Sequence, residues 1–155
     1  MRLELTRRAD YAVRAMLALA NDDERLSAAT IARRMAIPAG FLPHVMRDLM
    51  AAGLVSATAG RHGGYRPARD PATISVLDVI EAIEGDGRRR TCVLRNAQCG
   101  RDGYCAIHRV FSSAQDALLD ELGQATLADV GPVPTVEWPP PTPPAGPRAA
   151  RHRRA

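Results

Sequence analysis

The 155-residue sequence predicts a mainly α fold with a small β-hairpin wing: a winged helix-turn-helix followed by a long dimerisation helix. Three observations lead there. Two short segments with apolar residues three and four apart are separated by a proline-marked break. A glycine-rich turn between two β-prone runs follows them. The longest apolar stripe comes last and is too large for one small domain to cover alone.

The first helix is expected over Arg7 to Ala20, where Ala9, Val13, Met16, Leu17 and Ala20 share a face and Thr6 can cap the free amides at the start. The polar run Asn21 to Arg25 ends it. In "LSAATIARRMAIP", Ser27 is an N-cap, Ile31 and Met35 lie one turn apart, and Pro38 forbids continuation. The next helix, in "AGFLPHVMRDLMAAG", places Leu42, Val45, Met46 and Leu49 on one stripe, with Gly53 as the left-handed residue after its end. Proline is comfortable only in a first turn, so Pro43 implies a start near Ala39 or Gly40. These two helices make a helix-turn-helix. Leu54 to Thr58 and Tyr65 to Ala68 then form a hairpin around Gly60, Gly63 and Gly64, which gives the order of a winged helix.

Beyond the wing, Ser75 caps a helix whose Val76, Val79, Ile80 and Ile83 point inward and which Gly85 follows. From Cys105 to Leu122 runs the longest pattern, with Ile107, Val110, Phe111, Ala114, Leu118 and Leu122 on one stripe that pairs with its twin in a homodimer. From Gly131 onward the chain holds eight of its twelve prolines and a basic end, the composition of a disordered tail. The expected organisation is a DNA-binding domain over 1–84, a cysteine loop over 85–104, a dimerisation helix and a short C-terminal helix over 105–130, and a Pro/Arg-rich tail over 131–155.

Charge follows this division. Residues 1–69 carry eleven arginines against six acidic residues, residues 70–130 six against ten, and residues 131–155 four against one. The amino-terminal half is thus the electrostatic candidate for nucleic acid. Within it, His44 and Arg47 lie on the polar face of the second helix of the pair and suit base edges, and Arg61 and His62 stand at the wing tip. Arg33 and Arg34 suit the phosphate backbone. The longest apolar run near the start is short and follows a stretch studded with arginine, unlike a signal peptide or a membrane span, so a cytoplasmic protein with no membrane partner is expected.

All three cysteines, Cys92, Cys99 and Cys105, fall within fourteen residues at the spacing Cys-x6-Cys-x5-Cys, with His108 three residues further on. A reducing compartment disfavours disulfides, so metal binding or thiol chemistry explains the cluster better. Thiolates are soft donors that suit iron-sulfur clusters, and three of them leave one iron to a different ligand. Cysteine and histidine together also make an ordinary zinc set, and a thiol-disulfide switch is a further possibility. A cysteine-dependent enzyme using Cys105 with His108 is the remote one. The chain has no Cys-x-x-Cys pair, glycine-rich nucleotide loop or oxyanion element to support it.

The opening "MRLELTRRADYAV", the wing "GLVSATAGRHGGY", the helix "ISVLDVIEAIEG" and the triple-cysteine loop before a long helix occur in this order. Together they resemble the iron-sulfur winged-helix regulators that include IscR and NsrR. The resemblance implies a homodimer that binds a palindromic operator in double-stranded DNA. It also implies one cluster per subunit, [4Fe-4S] favoured and [2Fe-2S] the other choice, whose state controls transcription, most simply as a repressor answering nitric oxide, redox state or iron-sulfur status. Two residues compete for the fourth ligand position. Asp10 aligns with the carboxylate that the NsrR branch supplies from the other subunit. His108 shares a helical face with Cys105 and matches the interval in IscR. Each has an ordinary explanation as well, since Asp10 can pair with Arg14 one turn on and His108 can be a partly buried helix histidine. The first cysteine spacing, with six intervening residues, is one longer than the usual pattern with five.

Overall fold

The computed structural model describes residues 5–86 and 106–131, so Cys92, Cys99, Cys105 and the tail beyond Gly131 lie outside the described residues. The order is α1 (Arg7–Ala20), α2 (Ala28–Arg34), α3 (Leu42–Ala51), β1 (Val55–Thr58), β2 (Gly64–Pro67), α4 (Val76–Glu84), α5 (His108–Gln124) and α6 (Leu127–Val130). The fold is mainly helical with one two-stranded antiparallel hairpin.

Local sequence sets the helix ends. The Thr6 hydroxyl accepts from the Ala9 N–H at 3.2 Å, and Ser27 accepts from Thr30 at 3.1 Å, each satisfying an amide that the first turn leaves without a carbonyl. Between α2 and α3 the chain turns through Ala36 at φ 49°, a left-handed conformation that costs an alanine about 1 kcal/mol. Pro43 does lie in the first turn of α3, but that helix begins at Leu42, later than the proline rule suggested. The preceding residues close a separate turn instead, with the Phe41 N–H donating to the Pro38 carbonyl at 2.9 Å. Gly53, at φ +70°, follows the helix end as expected.

The hairpin pairs Val55 with Pro67 and Thr58 with Gly64. It begins one residue later than the apolar run because the Leu54 N–H is used by the Leu49 carbonyl, at 2.9 Å, to close α3. A third backbone segment joins the wing: Leu26 and Tyr65 exchange N–H···O bonds of 2.9 Å in both directions. Two glycines are obligatory here. A Cβ at Gly63 would sit 2.1 Å from the Thr58 carbonyl oxygen, and one at Gly64, where φ is +148°, would sit 2.8 Å from that of Leu26.

The core is shared by α1, α2, α3, the base of the wing and α4, with Tyr11, Met16, Leu19, Ile31, Leu42, Val45, Met46, Leu49, Ile74, Val79 and Leu127 fully buried. The α3 stripe is as the periodicity predicts. In α4 the buried set is Leu77, Val79 and Ile80, so Leu77 takes the place expected of Val76, which is half-buried. That helix starts with a capping box between Ser75 and Asp78, and α6 starts with the same device between Thr126 and Asp129. The two caps lie side by side, because Ser75 and Thr126 form an antiparallel bridge in which Val76 donates to Ala125 at 2.8 Å and Leu127 to Ile74 at 2.9 Å.

The α5 helix packs against α4 but buries only Leu119. Val110 is 68% exposed, Phe111 38% and Leu118 40%. Among the described residues, no helix is long and apolar enough to cross a membrane.

Candidate functional site

Two parts of the chain carry chemistry. The first is the outward side of α3 with its neighbours. Burial of Leu42, Val45, Met46 and Leu49 fixes the rotation of this helix, and the 3.6-residue repeat then turns His44 and Arg47 outward, one turn apart and both exposed. Arg61 and His62 are exposed in the turn joining β1 to β2, and Arg33 and Arg34 are exposed in the last turn of α2. The six residues singled out from the sequence are therefore all solvent-facing, and they sit on three successive elements of the helix-turn-helix and wing.

They differ in their partners. Arg34 Nη1 lies 2.7 Å from Asp22 Oδ2. Its hydrogen bond, helped by the Glu24 N–H, holds the Asp22 carboxyl below its ordinary range. Arg47 Nε is 3.6 Å from Asp48 Oδ1, within reach of charge attraction but beyond a hydrogen bond. Asp48 also accepts a hydrogen bond from Arg8 in the first turn of α1. Sequence reasoning missed this Arg8–Asp48 pair, since forty residues separate its members and no local repeat announces it. It missed Phe41 as well, which is 50% exposed at the start of α3 with its ring centroid 5.9 Å from that of Tyr11.

The second part is the set of potential metal ligands. The three cysteines lie outside the described residues, and among the described residues no group of three or more His, Cys, Asp or Glu is placed to hold a metal. His108 is the first residue of α5 and half-buried. Asp10 is in the first turn of α1, and its carboxylate meets the Arg14 guanidinium in a two-pronged pair, Oδ2 to Nη2 at 2.6 Å and Oδ1 to Nε at 2.9 Å. Arg14 is largely buried, reaches the Met35 carbonyl at the end of α2 at 3.4 Å, and lies over the Tyr11 ring. The ordinary explanation for Asp10 is thus realised in this chain. The carboxylate nonetheless stays 34% exposed and open to a further ligand. Three thiols together with a carboxylate or an imidazole are, by the chemistry of the donors, a set that fits an iron-sulfur cluster.

Comparison with known proteins agrees with this architecture. NsrR of Bacillus licheniformis is 30% identical over 138 residues, covering 83% of this chain and 92% of that protein. IscR of Vibrio vulnificus is 31% identical over 130 residues, covering 83% of this chain and 77% of that protein. The solved structure of CymR, the global cysteine regulator of B. subtilis, superposes with a TM-score of 0.71 at 25% identity over 83% of this chain and 96% of that one. These relatives are transcriptional regulators rather than enzymes. Residues 5–132 match the Rrf2 family, described as iron-dependent transcriptional regulators, and the chain is a member of that family.

Proposed function

We propose that this transcriptional regulator binds a palindromic operator in double-stranded DNA as a homodimer and represses from it. An iron-sulfur cluster held by Cys92, Cys99 and Cys105 sets its affinity. The observation that carries the reading is the confinement of every thiol of the chain to one segment directly ahead of α5, in a protein of this family. The favoured cluster is [4Fe-4S], with [2Fe-2S] as the second choice, and the signal is nitric oxide, redox state or iron-sulfur status. When bound, the cluster supplies an iron site that small reactants can attack where the fourth ligand is not a thiolate.

The residues of the chain do the rest. Asp10 of the other subunit is the preferred fourth ligand, with His108 as its rival. A carboxylate drawn away from Arg14 leaves that buried guanidinium to reorganise against Tyr11 and the Met35 carbonyl, next to the turn that leads into α3. Coupling thus passes from the first turn of α1 to the seat of α3. Half-sites one DNA turn apart, about 34 Å, tolerate little change in the separation of two such helices. His44 and Arg47 read base edges, Arg61 and His62 enter the groove beside the wing, and Arg33 and Arg34 meet phosphates. The exposed Val110, Phe111 and Leu118 supply the dimer contact. The domain division expected from the sequence, with the sensor at 85–104, belongs to this reading.

Protein isolated without oxygen is expected to be brown and to contain iron and acid-labile sulfide, both lost in Cys99→Ala, with Asp10→Ala altering the absorption more than His108→Ala. Absence of both iron and sulfide after reconstitution sinks the proposal. Stoichiometric zinc in colourless protein would instead establish a structural site of three cysteines and His108, an imidazole that the start of α5 holds close behind the last thiol in sequence. A change in operator binding caused by diamide alone would point to a thiol-disulfide switch.

A further inference from the structure

Asp48 is an acid on the helix that otherwise offers DNA a histidine and an arginine. It lies one turn beyond His44 in the helical repeat and next in sequence to Arg47, whose Nε its carboxylate approaches. The side chain is 21% exposed, so its charge faces the same water-filled space as theirs. It is held from behind as well: Arg8 bonds to Oδ2, while Oδ1 stands 3.6 Å from Arg47 Nε. Arg8 and Arg47 are 52% and 67% exposed, so the three groups form a cation-anion-cation line running from the first turn of α1 across the flank of α3.

We infer that Asp48 is a specificity-determining positioning residue, which aims Arg47 at a base edge and penalises binding to DNA of the wrong sequence. This rests on the reading of α3 as the DNA-reading helix. The guanidinium of arginine offers a fork of donors that matches guanine O6 and N7 when its terminal nitrogens point at the base. A carboxylate on the Nε side favours that aim, and Arg8 stops the carboxylate from swinging away. On DNA of the wrong sequence the same arginines have only phosphates to meet. There Asp48 competes for both cations and repels the backbone, so it weakens the sequence-independent attraction that dominates non-specific binding. One fixed negative charge thereby raises the ratio of specific to non-specific affinity without touching DNA.

The test uses full-length dimeric protein, prepared without oxygen, and two duplexes: one enriched by the wild-type protein from a random-sequence pool and one of the same composition with scrambled order. Asp48→Asn is expected to tighten binding to the scrambled duplex by about threefold and to weaken binding to the enriched one, so that their ratio falls about tenfold. Asp48→Glu should restore part of the ratio. In an Arg47→Ala background, Asp48→Asn should no longer weaken binding to the enriched duplex, which a purely structural bridge between α1 and α3 would not produce. Equal shifts on both duplexes overturn the inference, as do parallel losses accompanied by a lower melting temperature. If Arg47→Ala leaves the enriched duplex bound as tightly as before, α3 is not the reading helix, and the failure belongs to that underlying reading.

Discussion

The α3 and α5 helices carry apolar stripes of the same period and meet opposite fates. In α3, Leu42, Val45, Met46 and Leu49 are each at most 1% exposed, packed beneath α1 and α4. In α5, Val110, Phe111 and Leu118 face outward on a helix of seventeen residues that is anchored through Leu119. Periodicity states that a face must be covered; it does not say by what. For α3 the cover is the rest of the chain. For α5 the proposed cover is the same stripe of a second copy, since a stripe of that size left in water is uncommon in a protein that stays monomeric.

The contrast can be broken most directly by the same substitution on each stripe. Leu49→Asp puts an unpaired carboxylate into a fully buried site and should abolish folding, read as loss of the helical circular dichroism signal. Leu118→Asp should keep that signal and give a monomer by light scattering. A Leu118→Asp protein that remains dimeric would move the dimer contact off this stripe. Truncation sharpens the comparison at smaller cost. Met46→Ala should lower the unfolding free energy by about 2–5 kcal/mol in denaturant titration. In the Leu118→Asp monomer, Val110→Ala should change it by less than about 0.5 kcal/mol, because the side chain is already in water.

The smallest effect concerns acid. Asp22, near α2, and Asp129, at the start of α6, both have lowered pKa values in the folded state, Asp22 chiefly through the Arg34 guanidinium and Asp129 through the Thr126 hydroxyl and N–H. A lowered carboxyl pKa contributes stability that is complete above the ordinary value, about pH 4, and fades as pH falls through the folded value. Asp22→Asn and Asp129→Asn should therefore each flatten the loss of stability below about pH 4 by a small amount. Salt should weaken the Asp22 effect more, since its partner is a cation.

Short-range rules were legible in the sequence, and long-range ones were not. Thr6, Ser27 and Ser75 could be named as caps because a hydroxyl needs only an amide three residues on. The α3 core followed from its repeat. The start of α3 and the strand ends of the hairpin were misjudged by one to three residues, because backbone groups at Pro38 and Leu49 were already committed to neighbouring turns. The strand-like pairing of Leu26 with Tyr65 and the Arg8–Asp48 bridge depend on residues roughly forty positions apart, which no local pattern encodes. For the candidate site, the exposure of His44 and Arg47 followed once the buried α3 stripe was known. The Asp10–Arg14 pair was visible as a one-turn spacing, but its continuation to Met35 was not.

The bridge between Ser75 and Thr126 gives the cysteine-bearing segment its setting. At that point the backbone leaves for α4, the cysteines and α5, then comes back to bond to itself, so the whole excursion starts and ends at one riveted spot. An excursion anchored at both feet can gain or lose a residue at little entropic expense. The extra residue between the first two cysteines is the kind of edit such a mounting permits, a change of loop length that leaves the helix-turn-helix and wing where they are.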